Sequence, residues 1–377
     1  MKNKNYKIIY LIIFILILCS FLIYNSQIGF SVVAPSESYD IIIIAGQSNS
    51  IGYGTRNHSS PRLYGASINI PDDNPSNMIK MYCNNDNIIN ASHPFEHLSN
   101  WDSKIYVPPK TGPTVGNSSA NCNAVGFGLT FSKKYLISPK KTNTNKVLII
   151  GCGYGGTGFS GSDSNKRFWW KPEDNPNYTY SDGSIGLVRS LYLITKEKIT
   201  NMSSRVGANS KVVAILWHQG EYDKEFCMRN QENKNRYITD INRLFSDLRS
   251  DIVELFPNST SVPILIGGLS PELDRKRNRE HSFRTDNNSN ATSGMTYFIK
   301  TSVVPSITNA HFVSCEPISG SLYRDYLEGD NELDANGDPY RDKRDNKIIR
   351  VNRTHVHFSA TSLRELGKRY AYIFDRI

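Results

Sequence analysis

Five short apolar runs recur along the chain: residues 39–45 (YDIIIIA), 146–151 (KVLIIG), 211–217 (KVVAILW), 262–267 (VPILIG) and 310–314 (AHFVS). They are continuous rather than alternating, the pattern of strands buried on both faces. Helical periodicity fills the intervals. It predicts helices over 125–137, over 185–202 with Leu187, Leu191 and Ile194 on one stripe, and over 235–256 with Ile238, Ile241, Leu244, Phe245 and Leu248 at helical spacing. A last helix closes the chain over 363–377, with Ser362 and Glu365 spaced as its capping box. Strands alternating with helices predict an α/β fold, a parallel sheet with helices on both faces.

Such sheets place their chemistry beyond the carboxyl ends of the strands. The residues there are polar in each case: Gly46-Gln47-Ser48-Asn49 after the first run, Gly153-Tyr154-Gly155-Gly156-Thr157 after the second, and His218-Gln219-Gly220-Glu221 after the third.

The apolar run at 8–24 (IIYLIIFILILCSFLIY) breaks the pattern, because it is long enough to cross a bilayer as a helix. Lys2, Lys4 and Lys7 precede it and would stay cytoplasmic. It is longer than a usual signal-peptide core, and no good cleavage site follows. Residues 1–37 are therefore read as a cytoplasmic tail, a signal-anchor and a short stalk, with a cleaved signal peptide as the alternative. Residues 38–377 are read as one domain, lumenal or extracellular in the first case and secreted in the second. Loop-rich insertions are expected near 56–121 and 271–295.

Composition adds little to this. Hydrophobic residues make up 38% of the 377 and charged ones 21%, as in a globular protein. The formal charge of +9 is scattered, apart from the run Arg275-Lys276-Arg277-Asn278-Arg279, and no nucleic-acid motif accompanies it. Sequons at Asn57, Asn90, Asn117, Asn177, Asn201, Asn258, Asn287, Asn290 and Asn352 agree with an extracytoplasmic glycoprotein, though an Asn-rich chain also makes them by chance. Beyond Cys19 in the apolar run there are five cysteines. Cys83 with Cys122 is the expected disulfide, and Cys152 reads as a plain buried thiol. No cysteine or histidine spacing suggests zinc. Asp334-Ala-Asn336-Gly-Asp338 departs from a calcium loop in its glycine position and reads as an exposed turn.

Ser48 is the candidate nucleophile. A serine in the turn after a buried strand can present its hydroxyl at the sheet edge and its backbone N–H to an oxyanion. The same position also suits a helix cap, and Ser50 stands where the nucleophile elbow of the α/β-hydrolases has its second glycine. Such a hydroxyl needs a base. His357, just before the last helix, is the candidate, while His355 two residues earlier leaves a metal pair as the competing reading. Glu221 is the candidate acid to orient the base, and Gln219 a side-chain donor to the oxyanion.

Four strings in this order, Gly46-Gln47-Ser48-Asn49, Gly155-Gly156-Thr157, Trp217-His218-Gln219-Gly220-Glu221 and His357-Phe358-Ser359, resemble the sialate O-acetylesterase and acetylxylan esterase group (carbohydrate esterase family six) of the SGNH hydrolases. The segment from Leu363 to Tyr370 resembles that group's last helix. The resemblance implies a flavodoxin-like three-layer α/β/α fold with a mainly parallel five-stranded sheet. It implies removal of acetyl from a sugar hydroxyl, an acetylated carbohydrate as partner, and no cofactor or metal. It makes Ser48 nucleophile and His357 base, with the Ser48 N–H, the Gly156 N–H and Gln219 as oxyanion hole. One position departs from the pattern: Thr354 stands where an aspartate commonly precedes the histidine, which leaves Glu221 as third member. A glycan-binding protein on a catalytically weakened scaffold is the alternative, and a hydrolase of lipid or peptide esters ranks below it.

Overall fold

In the computed structural model the described residues are 37–52, 54–55, 76–93, 95–98, 124–160, 168–180, 183–269, 294–315, 358 and 360–377. The apolar run 8–24, Cys122, Arg275 to Arg279, Asp334 to Asp338, Thr354, His355 and His357 lie outside them, as do most of the expected insertions. Among the described residues no helix is long and apolar enough to cross a membrane.

The strands are β1 (Tyr39–Gly46), β2 (Gly54–Thr55), β3 (Ile79–Tyr82), β4 (Ile88–Asn90), β5 (Ala124–Val125), β6 (Lys146–Gly153), β7 (Phe168–Trp169), β8 (Asn175–Thr179), β9 (Ile185–Ser190), β10 (Lys211–His218), β11 (Ile264–Gly267) and β12 (Ala310–Val313). The helices are α1 (Ser48–Ile51), α2 (Gly128–Leu136), α3 (Leu191–Ser203), α4 (Lys224–Cys227), α5 (Gln231–Leu255), α6 (Met295–Phe298), α7 (Val304–Ser306) and α8 (Ala360–Phe374), with a π-helical stretch, Ile299–Val303, joining α6 to α7.

The main sheet has seven strands in the order β12-β11-β10-β1-β6-β3-β4. All neighbours are parallel except the edge pair β3–β4. The five apolar runs are all strands of this sheet. The expected count of five is corrected to seven, because β3 and β4 lie within the segment read as loop. Their sequences, IKMY and IIN, are too short and too polar to stand out there.

β1 is buried along its whole length. Ile41, Ile43 and Ala45 join one apolar core, and Ile42 and Ile44 join the other. The first core is roofed by α3, α5 and the helical turns from Met295, the second by α2 and α8. A strand with apolar side chains on both faces can only be covered by two helical layers, so the continuous run dictates the three layers. Asp40, the charged residue in the run, is buried against Tyr135 OH (2.6 Å), Asn143 Nδ2 (2.9 Å) and Lys141 Nζ (3.1 Å), which satisfies it.

Three expectations need correction. Residues 185–190 are the strand β9, and the helix starts only at Leu191. Ile185 and Leu187 face outward while Val188 and Ser190 are buried, a two-residue alternation that a helical stripe conceals. Ser190 then caps α3, accepting from Leu193 N at 3.1 Å. The last helix begins at Ala360, so Ser362 lies inside it and is not its cap, and Glu365 pairs instead with Lys368 and Arg369. Finally, Cys83, Cys152 and Cys227 are free and buried, so Cys83 does not take part in the expected disulfide. Burial pushes the Cys83 thiol up to about 12 and that of Cys152 up to about 11, which makes them unreactive.

Candidate active site

β1 lies between β6 and β10, and its last residue, Gly46, is paired with Gly153 on one side and His218 on the other. Three of the motifs picked out from the sequence thus leave the sheet side by side. Their loops are then tied across the strands. Tyr154 N donates to Gly46 O at 2.9 Å, and Gln47 N donates to His218 O at 2.9 Å. Gly46 has φ +121°, and a Cβ there would stand 2.1 Å from His218 O, so the turn into Ser48 admits only glycine.

Ser48 is buried and opens the four-residue helix α1. Its neighbour Asn49 is fully buried and bridges two elements. Nδ2 donates to Glu221 Oε1 at 2.7 Å, and Oδ1 accepts from Phe358 N at 3.1 Å. Phe358 follows His357 in the sequence. The C-terminal helix is fixed to the same sheet edge, because Tyr370 OH donates to Trp217 O at 2.7 Å.

The Glu221 side chain is almost entirely buried, with 2% exposure, and His218 Nε2 stands 3.4 Å from its Oε1. Burial alone would raise its pKa. The His218 imidazole, Glu221's own backbone N–H and the Asn49 amide outweigh that and hold the carboxyl below the usual value. Its second oxygen, Oε2, is buried and meets no hydrogen-bond donor among the described residues.

Gln219 is engaged elsewhere. Nε2 donates to Asp223 Oδ2 at 2.7 Å and to Thr157 O at 3.2 Å, and Oε1 accepts from Tyr237 OH at 2.9 Å. Two acceptors at one end of the amide identify that end as the NH2 group. Both of its hydrogens are therefore committed to other acceptors, and donation to an oxyanion would break one of these bonds. Gly156 lies in the turn after β6 with φ +66°. Behind that turn His97, fully buried, accepts from Gly153 N at 3.0 Å, and burial pushes its pKa down to about 3, with Lys198 acting in the same direction.

The structure therefore brings Ser48, the Gly155–Gly156 turn, Gln219 and Glu221 to one sheet edge; His357 lies outside the described residues. Sequence reasoning quoted Asn49 without giving it a role and passed over His97 and Asp223. Asn49 had a signal, its place beside Ser48. His97 had none, being in a segment with no visible periodicity. Among the described residues no group of three or more His, Cys, Asp and Glu side chains is placed to hold a metal ion.

A family model described as carbohydrate esterase, sialic acid-specific acetylesterase, fits residues 38–316. Ser48, Gly156, Gln219 and Glu221 fall inside it and His357 outside. No curated protein matches by sequence. The crystal structure of NanS is similar with a TM-score of 0.53 and 16% identity, over 91% of this chain and 98% of that one. At that identity the likeness is one of fold. A protein from Arabidopsis thaliana aligns with a TM-score of 0.47 and 17% identity, over 89% of this chain and 96% of that one. Est24, a carbohydrate acetylesterase from Sinorhizobium meliloti, aligns with a TM-score of 0.35 and 9% identity, over 90% of this chain and 98% of that one.

Proposed function

We propose, because the chain belongs to the sialic acid-specific acetylesterase family of carbohydrate esterases, that it hydrolyses acetyl esters on sugar hydroxyls through a covalent serine intermediate. Ser48 Oγ attacks the acetyl carbonyl, and His357 takes its proton. The tetrahedral oxyanion is met by backbone N–H groups of Ser48 and Gly156. The sugar leaves as an alcohol, protonated by His357. Water, activated by the same histidine, then releases acetate and restores Ser48.

Glu221 is the acid that orients His357 in this reading, taking the place of the aspartate that Thr354 does not supply. The observation that carries it is the state of the carboxylate. It is buried, held ionised, fixed through Asn49 to the residue after His357, and has one oxygen with no donor among the described residues. A buried unsatisfied carboxylate oxygen is costly unless a donor arrives, and an imidazole N–H is such a donor. Gln219 serves in this scheme by holding Thr157 in place, in contrast to the direct oxyanion contact expected from the sequence.

The substrate class we favour is an O-acetylated sialic acid, on the strength of the family description. Acetate release from O-acetylated sialic acid and from acetylated xylan, measured with the purified full chain, tests it. Faster turnover of the sialate is the expected result, and release from xylan alone would reassign the substrate.

A further inference from the structure

Asp223 lies two residues beyond Glu221 and is fully buried. It precedes the short helix α4, yet its carboxylate makes no cap bond there. The side chain reaches a distant segment instead. Oδ1 accepts from Ser160 N at 2.7 Å and Phe159 N at 3.1 Å. Oδ2 accepts from Phe159 N at 2.9 Å and from Gln219 Nε2 at 2.7 Å. The loop backbone closes directly on the carboxylate, since a Cβ on Gly158 would stand 2.4 Å from Oδ2.

Residues 154–160 form the loop that carries the Gly155–Gly156 turn. Its far arm is held by Asp223 through Phe159 and Ser160. The same arm is held nearer the turn through Gln219, whose amide, oriented by Asp223, also donates to Thr157 O at 3.2 Å. Thr157 Oγ1 in turn donates to Tyr154 O at 2.8 Å and accepts from Trp170 Nε1 at 3.2 Å. Tyr154 N reaches Gly46 O at 2.9 Å, two residues before Ser48.

We propose that Asp223 is a positioning residue for the hydrolytic reaction: its carboxylate clamps the arm of the loop 154–160 that follows the turn, directly at Phe159 and Ser160 and through Gln219 at Thr157, and so fixes the Gly155–Gly156 turn against Ser48. The role rests on the reading of that turn as an oxyanion donor. The chemistry suits a carboxylate in particular. Each of these hydrogen-bond partners is a donor, and the ionised group accepts from all of them at once, whereas an amide would turn its own N–H toward one of them. Burial pushes the pKa of Asp223 up, and the Ser160, Phe159 and Gln219 donors oppose that rise. Asp223 touches no reacting atom, and its effect passes through the turn.

The test is Asp223→Asn in the full chain, read two ways. Steady-state hydrolysis of 4-nitrophenyl acetate should show kcat reduced about 100-fold, the scale expected for a small misplacement of a catalytic group, with KM changed by no more than about twofold. Hydrogen–deuterium exchange should rise about tenfold over 154–160 while β1 and β10 keep their protection. Gly158→Ala presses on the same contact from the loop side and should give the same pattern; it carries the test if Asp223→Asn does not fold. Unchanged kcat, unchanged exchange in the loop, or exchange rising equally across the sheet would each overturn the proposal. A wild-type chain without turnover would instead sink the esterase reading, and exchange alone would then decide whether Asp223 holds the loop.

Discussion

The side-chain amide of Asn49 donates to Glu221 Oε1 across 2.7 Å, joining the loop after the first strand of the sheet to the loop after β10. The other end of the same amide accepts from Phe358 N at 3.1 Å. One buried side chain thus couples the segments that begin with Ser48, contain Glu221 and follow His357. In the proposed mechanism these are the three segments whose relative position must be held to a fraction of an ångström.

Asn49→Ala should therefore act on catalysis more than on folding. It removes both hydrogen bonds without touching Ser48. We expect kcat/KM for 4-nitrophenyl acetate to fall about 100-fold, with a loss of about 1–3 kcal/mol in urea unfolding from the orphaned Phe358 N–H and Glu221 oxygen. Unchanged kinetics would remove Asn49 from the account.

Glu221→Gln preserves shape and removes the charge. If Glu221 orients the base, kcat should drop on the order of 10⁴-fold while the covalent intermediate still forms slowly at Ser48. The lowered pKa of Glu221 keeps it ionised above its ordinary value of 4.5, so Glu221 itself should add no inflection to the wild-type pH–rate profile between that value and neutrality. If this variant binds sugar as well as wild type and neither protein turns over acetate, the glycan-binding alternative takes precedence.

The sequence made the sheet legible where its strands are buried on both faces, because a run such as YDIIIIA is short, continuous and rich in β-branched isoleucine. It concealed β3 and β4 at the sheet edge, where Lys80 and Asn90 meet across the strands in solvent. It misread β9, because Leu187, Leu191 and Ile194 happen to fall at helical spacing across a strand–helix junction. At the candidate site, residue types at the strand ends made Ser48, Gln219 and Glu221 candidates, and the family resemblance added Gly156. Their partnerships were not legible. That Gln219 turns to Asp223 and Thr157 depends on contacts between residues far apart in the chain, and no local pattern encodes them.

Gly46→Ala tests the strand-end geometry. At φ +121°, with 2.1 Å between the added Cβ and His218 O, the backbone must shift. Strain and overpacking together should cost about 2–5 kcal/mol. Activity should be lost beyond what the residual folded fraction explains, since the displaced residue carries Ser48. Equal stability in thermal unfolding would contradict the geometry.

His97 makes stability depend on pH. Its pKa is about 3 in the fold against an ordinary 6.5. Between those values only the unfolded chain binds the proton. Stability is therefore intact above 6.5 and is lost as pH falls toward 3, by up to about 1.4 kcal/mol per pH unit. Denaturant midpoints measured over that window should slope steeply for wild type and less for His97→Gln. Parallel curves would show that His97 is not the group responsible.

The most direct measurement is intact-mass analysis of the full chain quenched during hydrolysis of an O-acetylated sugar, with free acetate assayed alongside, for wild type and Ser48→Ala. Wild type is expected to release acetate and to carry one acetyl group, on the peptide containing Ser48, while Ser48→Ala does neither. Acetate release that persists in Ser48→Ala, or an acetyl group trapped on another residue, would contradict Ser48 as the nucleophile.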